Sequence, residues 1–194
     1  MDLRYDTVSF LSDYGTTDEF VGVVHSVIRS LAPEVRVIDI THHVPVHDVR
    51  AGALTLARSA QYLSAGVVVA VVDPGVGTER RAIAVEVGDG ASVLVGPDNG
   101  LLAPAVAMVG GASRAFELTN SAFHLQAPGN SFDGRDVFAP VAAHLCAGAR
   151  KCHDAARHRT DQDRHRHRGD PRPRRRLCRE REQRQRRRAA PHGA

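Results

Sequence analysis

The chain has no tryptophan, and its six Phe and three Tyr residues all lie before position 150. Beyond that point the only large aliphatic side chain is Leu177. A segment this poor in apolar surface cannot offset the entropy of ordering its backbone, so residues 150–194 are expected to be disordered alone. The core therefore belongs to the first three-quarters of the sequence. The three cysteines, Cys146, Cys152 and Cys178, are odd in number and without paired spacing, which argues against a disulfide framework. Cys152-His153 with His158 lacks a second pair at a ligand-like spacing, so no zinc site is expected there. No apolar run approaches the roughly 18 residues that cross a bilayer, and the N-terminus carries no signal-peptide pattern. The expectation is a soluble cytoplasmic protein. Neither GxGxxG nor GxxxxGK[ST] occurs, which removes the two commonest nucleotide-phosphate loops.

The net charge of +4 hides a segregation. Residues 1–149 hold 9 Arg, no Lys and 16 acidic residues, a net of −7; residues 150–194 hold 16 Arg, one Lys and 6 acidic residues, a net of +11. Two units are expected on this basis: an acidic, hydrophobic domain over 1–149 and an Arg/His-rich tail over 150–194.

The domain is organised around Gly66–Arg81, GVVVAVVDPGVGTERR. Six consecutive apolar residues, Val67 to Val72, predict a strand buried on both faces, as in a parallel sheet covered by helices. Pro74, Gly75 and Gly77 force a turn directly after Asp73. A carboxylate at the C-terminal end of a buried strand sits where open α/β sheets place their ligands. Arg80 and Arg81 follow within reach of it. An Asp that merely caps the turn is the alternative reading.

The same arrangement occurs earlier in the chain. Thr7–Leu11 predicts a buried strand, ended by Ser12-Asp13 and Tyr14-Gly15. Thr16 and Glu19 have capping-box spacing for a helix through Leu31, with Val23, Val24, Val27, Ile28 and Leu31 on its apolar face. Asp18 favours that helix N-terminus and also lies close enough to Asp13 to face the same cleft. Val35–Ile40 predicts a second strand, and Val49–Tyr62 a helix. Between them stand His42, His43 and His47. Neighbouring loop side chains point apart and no Glu has supporting spacing, so hydrogen-bonded loop histidines are expected, not metal ligands. Strands at Ala82–Val87 and Val93–Val95 flank a Gly88-Asp89-Gly90 turn. Gly96–Gly100 leads into a helix over 101–109, Phe116–Leu118 reads as a short strand, and Phe132–Asp136 leads into a last helix over 137–145. The alternation predicts a three-layer α/β domain with a mostly parallel sheet. Its candidate ligand groups, Asp13, Asp18, Asp73, Arg80, Asp98, Asn99 and Asp133, fall on loops. Many carboxylates with few cations suit a cationic or hydroxyl-rich small molecule, not a phosphate.

Five ordered segments, SDYGTTDEFVG (12–22), VIDITHHVP (37–45), VVDPGVGTERR (71–81), VGPDNGLL (95–102) and FDGRDVFAPVAAHL (132–145), closely resemble the S-adenosylmethionine hydroxide adenosyltransferases. These adenosine-forming S-adenosylmethionine hydrolases are related to fluorinating and chlorinating enzymes. The similarity runs over about residues 5–149. It implies attack of water on ribose C5′ of S-adenosylmethionine, releasing adenosine and methionine, with no cofactor. It also implies a homotrimer whose active site lies between this domain and a neighbour's C-terminal β-barrel. A sulfonium is already a good leaving group, so such a reaction needs one oriented, partly desolvated water and neither an acid nor a metal.

By the resemblance, Asp13 binds the ribose hydroxyls and Asp18 lies near the methionine ammonium. Asp73 and Arg80 belong to the water-activating group, and Phe132 lines the pocket beside the reacting carbon. Gly134 stands where the fluorinating relatives carry a halide-binding serine, which implies hydroxide as the nucleophile. Two positions depart from the family pattern. Asp133 replaces a customary His, adding like-charge repulsion beside Asp73, and His47 replaces the pocket tryptophan of the halogenating relatives. The expected C-terminal barrel is missing, and residues 150–194 resemble the product of a reading-frame slip, which resequencing the locus would test. Two other functions compete: a nucleoside-binding domain without turnover, and unspecific, salt-sensitive nucleic-acid binding through the basic tail. No aromatic residue interleaves the tail arginines for base stacking, so a solvated tail is the preferred reading.

Overall fold

The computed structural model describes residues 3–126, 129 and 131–148. The expected tail over 150–194, with Cys152, His153, His158 and Cys178, lies outside the described residues. Six strands form one sheet: β1 (Thr7–Ser12), β2 (Arg36–Thr41), β3 (Val67–Val71), β4 (Ala82–Val87), β5 (Ser92–Pro97) and β6 (Ala112–Glu117). Their order is β2-β1-β3-β5-β4-β6. The pairs β1–β2, β1–β3 and β3–β5 are parallel, while β4 pairs antiparallel with both β5 and β6. The sheet is thus parallel through its first four strands, with an antiparallel extension.

Every residue of β1 and β3 is buried, which is why their sequences lack alternation: each face of the sheet is covered. Helices α1 (Phe20–Leu31) and α4 (Ala139–Cys146) pack on one face with Phe10, Val69, Val95 and Phe138. Helices α2 (Val49–Ala60) and α3 (Ala103–Met108) pack on the other with Leu11, Val68, Val72 and Leu94. Successive residues of a strand feed opposite clusters, as the period of two requires. Phe10 and Phe138 have no exposed surface, and burying a side chain of this size stabilises by roughly 1.5–3 kcal/mol. Strands β2 and β6 form the edges; β6 is mostly exposed and no residue of β2 is fully buried. No helix among the described residues is long and apolar enough to cross a membrane.

Some boundaries differ from expectation. The Thr16–Glu19 capping box does not form. Helix α1 begins at Phe20 with no side-chain cap, and its first bond runs from Val23 N–H to the Glu19 carbonyl at 2.9 Å. Gly15, at φ +69°, donates its N–H to the His42 carbonyl at 2.7 Å and turns the chain towards β2. The Thr16 hydroxyl faces the His43 ring instead, at 3.5 Å. Leu31, assigned to the apolar face, is 37 % exposed in the last turn. Helix α2 is capped by Asp48, whose Oδ1 accepts from Ala51 N–H at 2.9 Å. Helix α3 starts at Ala103, two residues late, because Leu101 and Leu102 are spent in the preceding loop, where both are buried.

Cys146 ends α4 as a buried free thiol. Burial, helped by the charge of Asp6, pushes its pKa up to about 12. Since the thiolate is the reactive species, native protein should leave Cys146 unlabelled by iodoacetamide at pH 8, with labelling only in denaturant. Peptide mass spectrometry separates it from the other two cysteines.

Candidate active site

The chain leaves β1 to form β2 on one side, then returns to form β3 on the other, so the order reverses between β1 and β3. Ligands of open α/β sheets bind outside the carboxyl ends of strands at such a switch point. Asp13 directly follows β1, and Asp73 lies two residues beyond the end of β3. They are held in register by the parallel pairing of Ser12 with Val71 and by Asp13 N–H to the Val71 carbonyl at 3.3 Å. A cavity of about 270 Å³ opens there, and both carboxylates line it together with Tyr14, Phe20, Val46, His47, Val71, Val76, Ser131, Phe132, Asp133 and Gly134.

The DPGVGTER loop coils back on itself. Val76 N–H donates to the Asp73 carbonyl at 3.2 Å, Thr78 N–H to the Gly75 carbonyl at 3.1 Å, and Arg80 N–H to the Thr78 hydroxyl at 3.3 Å. This coil returns Arg80 to the carboxylate seven residues before it. Arg80 Nε lies 3.0 and 2.9 Å from the two Asp73 oxygens, and Nη2 bonds both Asp73 Oδ2 and Asp133 Oδ2. One guanidinium therefore joins the two carboxylates whose mutual repulsion the sequence foretold. Side-chain exposures of 12 % for Arg80, 5 % for Asp73 and 18 % for Asp133 make this a largely desolvated cluster. Burial pulls the Arg80 pKa down, but its hydrogen bonds to Asp73 and Asp133 outweigh this and leave it above its ordinary value. Asp73 is thus more than a turn cap. Arg81 does not share in the cluster: it pairs with Asp98 at the surface.

Asp13 is oriented by the opposite wall. Its Oδ2 accepts from His47 N–H at 2.8 Å, and His47 reaches that position with φ +64°. Three rings form a second wall: Tyr14 meets Phe132 edge-on at 5.5 Å, Phe20 meets Phe132 at 5.0 Å, and Tyr14 contacts Phe20 and, behind the wall, the buried Phe10. Burial, then the charges of Asp13, Asp73 and Asp133, push the Tyr14 phenol pKa up, so it stays neutral. A single wide π-helical turn, Gly134–Phe138, begins immediately after Asp133. Such turns occur mostly at functional sites, and here it stands Phe132 and Asp133 at the cavity wall and carries on into α4.

Of the residues singled out from sequence, Asp13, His47, Asp73, Phe132, Asp133 and Gly134 line one cavity, and Arg80 ties two of them together. Asp18 is exposed and does not line it. Asp98 and Asn99 do not line it either. Asn99 braces the floor, its amide donating to the Val72 carbonyl at 2.8 Å and its Oδ1 accepting from Leu101 N–H at 3.1 Å. Tyr14, Phe20 and Val76 were missed; their signal was adjacency to the Asp13 and Asp73 turns.

His124 was also missed. Burial lowers its pKa while Asp133 opposes the shift, and its Nε2 is buried without a hydrogen-bond partner among the described residues. Burial alone lowers the pKa of His144, which packs edge-on against Phe123. Both folded values lie below the usual ~6.5, so on acidification the unfolded chain protonates first. The stability they contribute is complete above about pH 6.5 and is lost as pH falls through the folded values. Urea midpoints should drop between pH 7.5 and 5.5, and drop less in His144→Gln.

The described geometry has counterparts. Residues 8–155 match the family model described as SAM hydroxide adenosyltransferase N-terminal domain. The (R)-S-adenosyl-L-methionine hydrolase of Salinispora arenicola is 56% identical over 142 residues, covering 73% of this chain and 54% of that protein. The enzyme of the same name from Thermus thermophilus is 46% identical over 149 residues, covering 73% and 57%. A fluorinase of an Actinoplanes species is 27% identical over 163 residues, covering 73% and 54%. The crystal structure of an uncharacterized conserved protein from Thermotoga maritima superposes with a TM-score of 0.68 at 38% identity, covering 73% of this chain and 54% of that one. The chain spans about half the length of the curated relatives it matches. With a family model matched across its whole α/β domain, the chain belongs to the S-adenosylmethionine hydroxide adenosyltransferase family.

Proposed function

We propose that this domain binds S-adenosyl-L-methionine and activates the water that hydrolyses it to adenosine and L-methionine. The observation that carries the reading is the Asp73–Arg80–Asp133 cluster set in the wall of a cavity that Asp13 enters from the other side. Asp13 spends one lone pair on His47 N–H and keeps Oδ1 for ribose hydroxyls, which donate to a carboxylate. The rings of Tyr14, Phe20 and Phe132 offer an apolar wall to the nucleoside. A water between the cluster and C5′ would donate a proton towards Asp73 or Asp133 while Arg80 stabilises charge developing on its oxygen. The O–C5′ bond forms as the C5′–S bond breaks, and the bonding electron pair stays on sulfur to give the neutral thioether of methionine. The water's second hydrogen remains as the adenosine 5′-hydroxyl. Asp18 takes no part in the cavity wall, so its role at the methionine ammonium rests on the family resemblance alone.

The family resemblance also supports a cytoplasmic homotrimer in which a neighbouring subunit closes the open side of the cavity, and a domain boundary near residue 149. Light scattering on the purified chain measures the first of these. The reaction is tested by incubating the protein with S-adenosylmethionine in H₂¹⁸O. The expected products are methionine and adenosine carrying one ¹⁸O at the 5′-hydroxyl. Adenosine bound in calorimetry with no turnover would instead support a nucleoside-binding domain. Neither binding nor turnover by a folded sample would overturn the proposal.

A further inference from the structure

Outside the cavity, three potential ligands converge behind the loop that carries Asp13. His25 projects from α1, Asp39 from β2, and His42 from the residue after the Thr41 strand end. His25 Nε2 lies 2.8 Å and His42 Nε2 3.0 Å from the same oxygen, Asp39 Oδ1, and the three ligand atoms all lie within 4.8 Å of one another. His42 is only 5 % exposed. Its Nε2 approaches Asp39 out of line for a hydrogen bond, so this buried nitrogen has no hydrogen-bond partner among the described residues, a state that costs free energy unless something else satisfies it.

The other ring nitrogen is already committed: His42 Nδ1 lies 2.7 Å from Ser12 Oγ, and the ring packs on Phe10 with centroids 4.7 Å apart. A serine oxygen accepting from Nδ1–H leaves a lone pair on Nε2. This is the outer-shell arrangement that orients a metal-binding imidazole.

We propose that His25, Asp39 and His42 bind one divalent transition ion, with zinc as the best fit to two imidazoles and a carboxylate. Tetrahedral ligands at about 2.0–2.2 Å from zinc stand roughly 3.3 Å apart. The two nitrogen–oxygen separations need to open by only a few tenths of an ångström, the ring nitrogens lie within 4.8 Å of each other, and Asp39, with its side chain 40 % exposed, is free to recede. His25 is 35 % exposed, so the outer side admits water as the fourth ligand. None of the three residues lines the cavity, so the ion takes no part in the chemistry proposed above. It clamps edge strand β2 to α1. Because the His42 carbonyl accepts from Gly15 N–H at 2.7 Å, it also steadies the turn that presents Asp13 and Tyr14.

The test uses the full chain titrated with zinc chloride and is read by long-range ¹H–¹⁵N NMR of the histidine rings. Uptake alone is not diagnostic, since the tail carries His153, His158, His165, His167 and His192 besides two cysteines. One equivalent should move the His25 and His42 Nε2 signals together and raise the melting temperature. His25→Ala and Asp39→Asn, both at half-exposed positions that should leave the fold intact, should weaken zinc binding at His42 at least ~10-fold, the loss that even an outer-shell change brings. His43→Ala should change nothing. Zinc taken up with the His25 and His42 signals unmoved would overturn the proposal and leave a hydrogen-bonded trio. So would a His42 shift of undiminished affinity in both variants.

Discussion

Arg80→Met should slow adenosine formation about 10²–10³-fold and lower the stability of the domain by about 3–5 kcal/mol, the cost of breaking a buried ion pair from one side. The size follows from what is left behind. Asp73 and Asp133 have side chains only 5 % and 18 % exposed, and both take hydrogen bonds from this one guanidinium. Without it, two carboxylates face each other with little water to screen them. Arg80→Lys should recover only part of the loss, because an ammonium cannot reproduce the planar fork that holds both Asp73 oxygens through Nε while Nη2 reaches Asp133. Removing one carboxylate from the damaged cluster separates fold from chemistry. Asp133→Asn in the Arg80→Met background should restore part of the urea midpoint and none of the turnover. An Arg80→Met protein with the parental midpoint would show that the cluster contributes nothing to stability. One with the parental rate would remove Arg80 from the mechanism, where loss of a charge-stabilising donor is worth about 10²–10³ in rate.

What the sequence revealed of this site follows the distinction between local and non-local causes. Val67–Val72 read as a strand buried on both faces because no polar residue interrupts it, and β3 is buried throughout. Asp13 and Asp73 were legible as partners because each ends such a strand at a glycine-bearing turn. That they share a cavity depends on β1 and β3 being neighbours, which the strand order settles and no local pattern announces. The choice of Arg80 over Arg81 rested on the family resemblance and not on the local pattern. Arg80 and Arg81 are adjacent and chemically identical, and only the coil of the Asp73–Arg80 loop aims one inward while Arg81 goes to Asp98. The Thr16–Glu19 spacing misled because a capping box is a local preference worth about 1 kcal/mol. The Gly15 bond to the His42 carbonyl and the packing of Phe20 on Phe132 override it. The π-helical turn at 134–138 leaves no trace in FDGRDVF, since one extra backbone atom set per turn has no side-chain signature.

That turn carries the second large expected effect, at Gly134. Its backbone is not in the left-handed region, so φ does not explain the glycine. Space does: a Cβ built there would fall far inside van der Waals contact distance of Tyr14 Oη, 3.1 Å from Tyr14 Cζ and 3.2 Å from Phe132 Cε2. Tyr14 is half-buried and packs against Phe20 and Phe132, so moving its ring disturbs both contacts. Gly134→Ser should therefore cost about 1–3 kcal/mol, as overpacking does, and should weaken adenosine binding because two cavity walls must part. The phenol oxygen is the atom in the way, which makes the prediction a coupling and not merely a loss. Tyr14→Phe removes that oxygen and leaves contacts no tighter than about 3.1 Å, so Gly134→Ser should be tolerated better in the Tyr14→Phe background than alone. A double-mutant cycle on urea midpoints should return a favourable interaction energy of about 1 kcal/mol or more. Strictly additive costs would mean that the ring moves as a whole, or that the wide turn itself requires glycine. In either case the Tyr14 hydroxyl would not be what excludes a serine, and with it a halide-binding hydroxyl, from this wall.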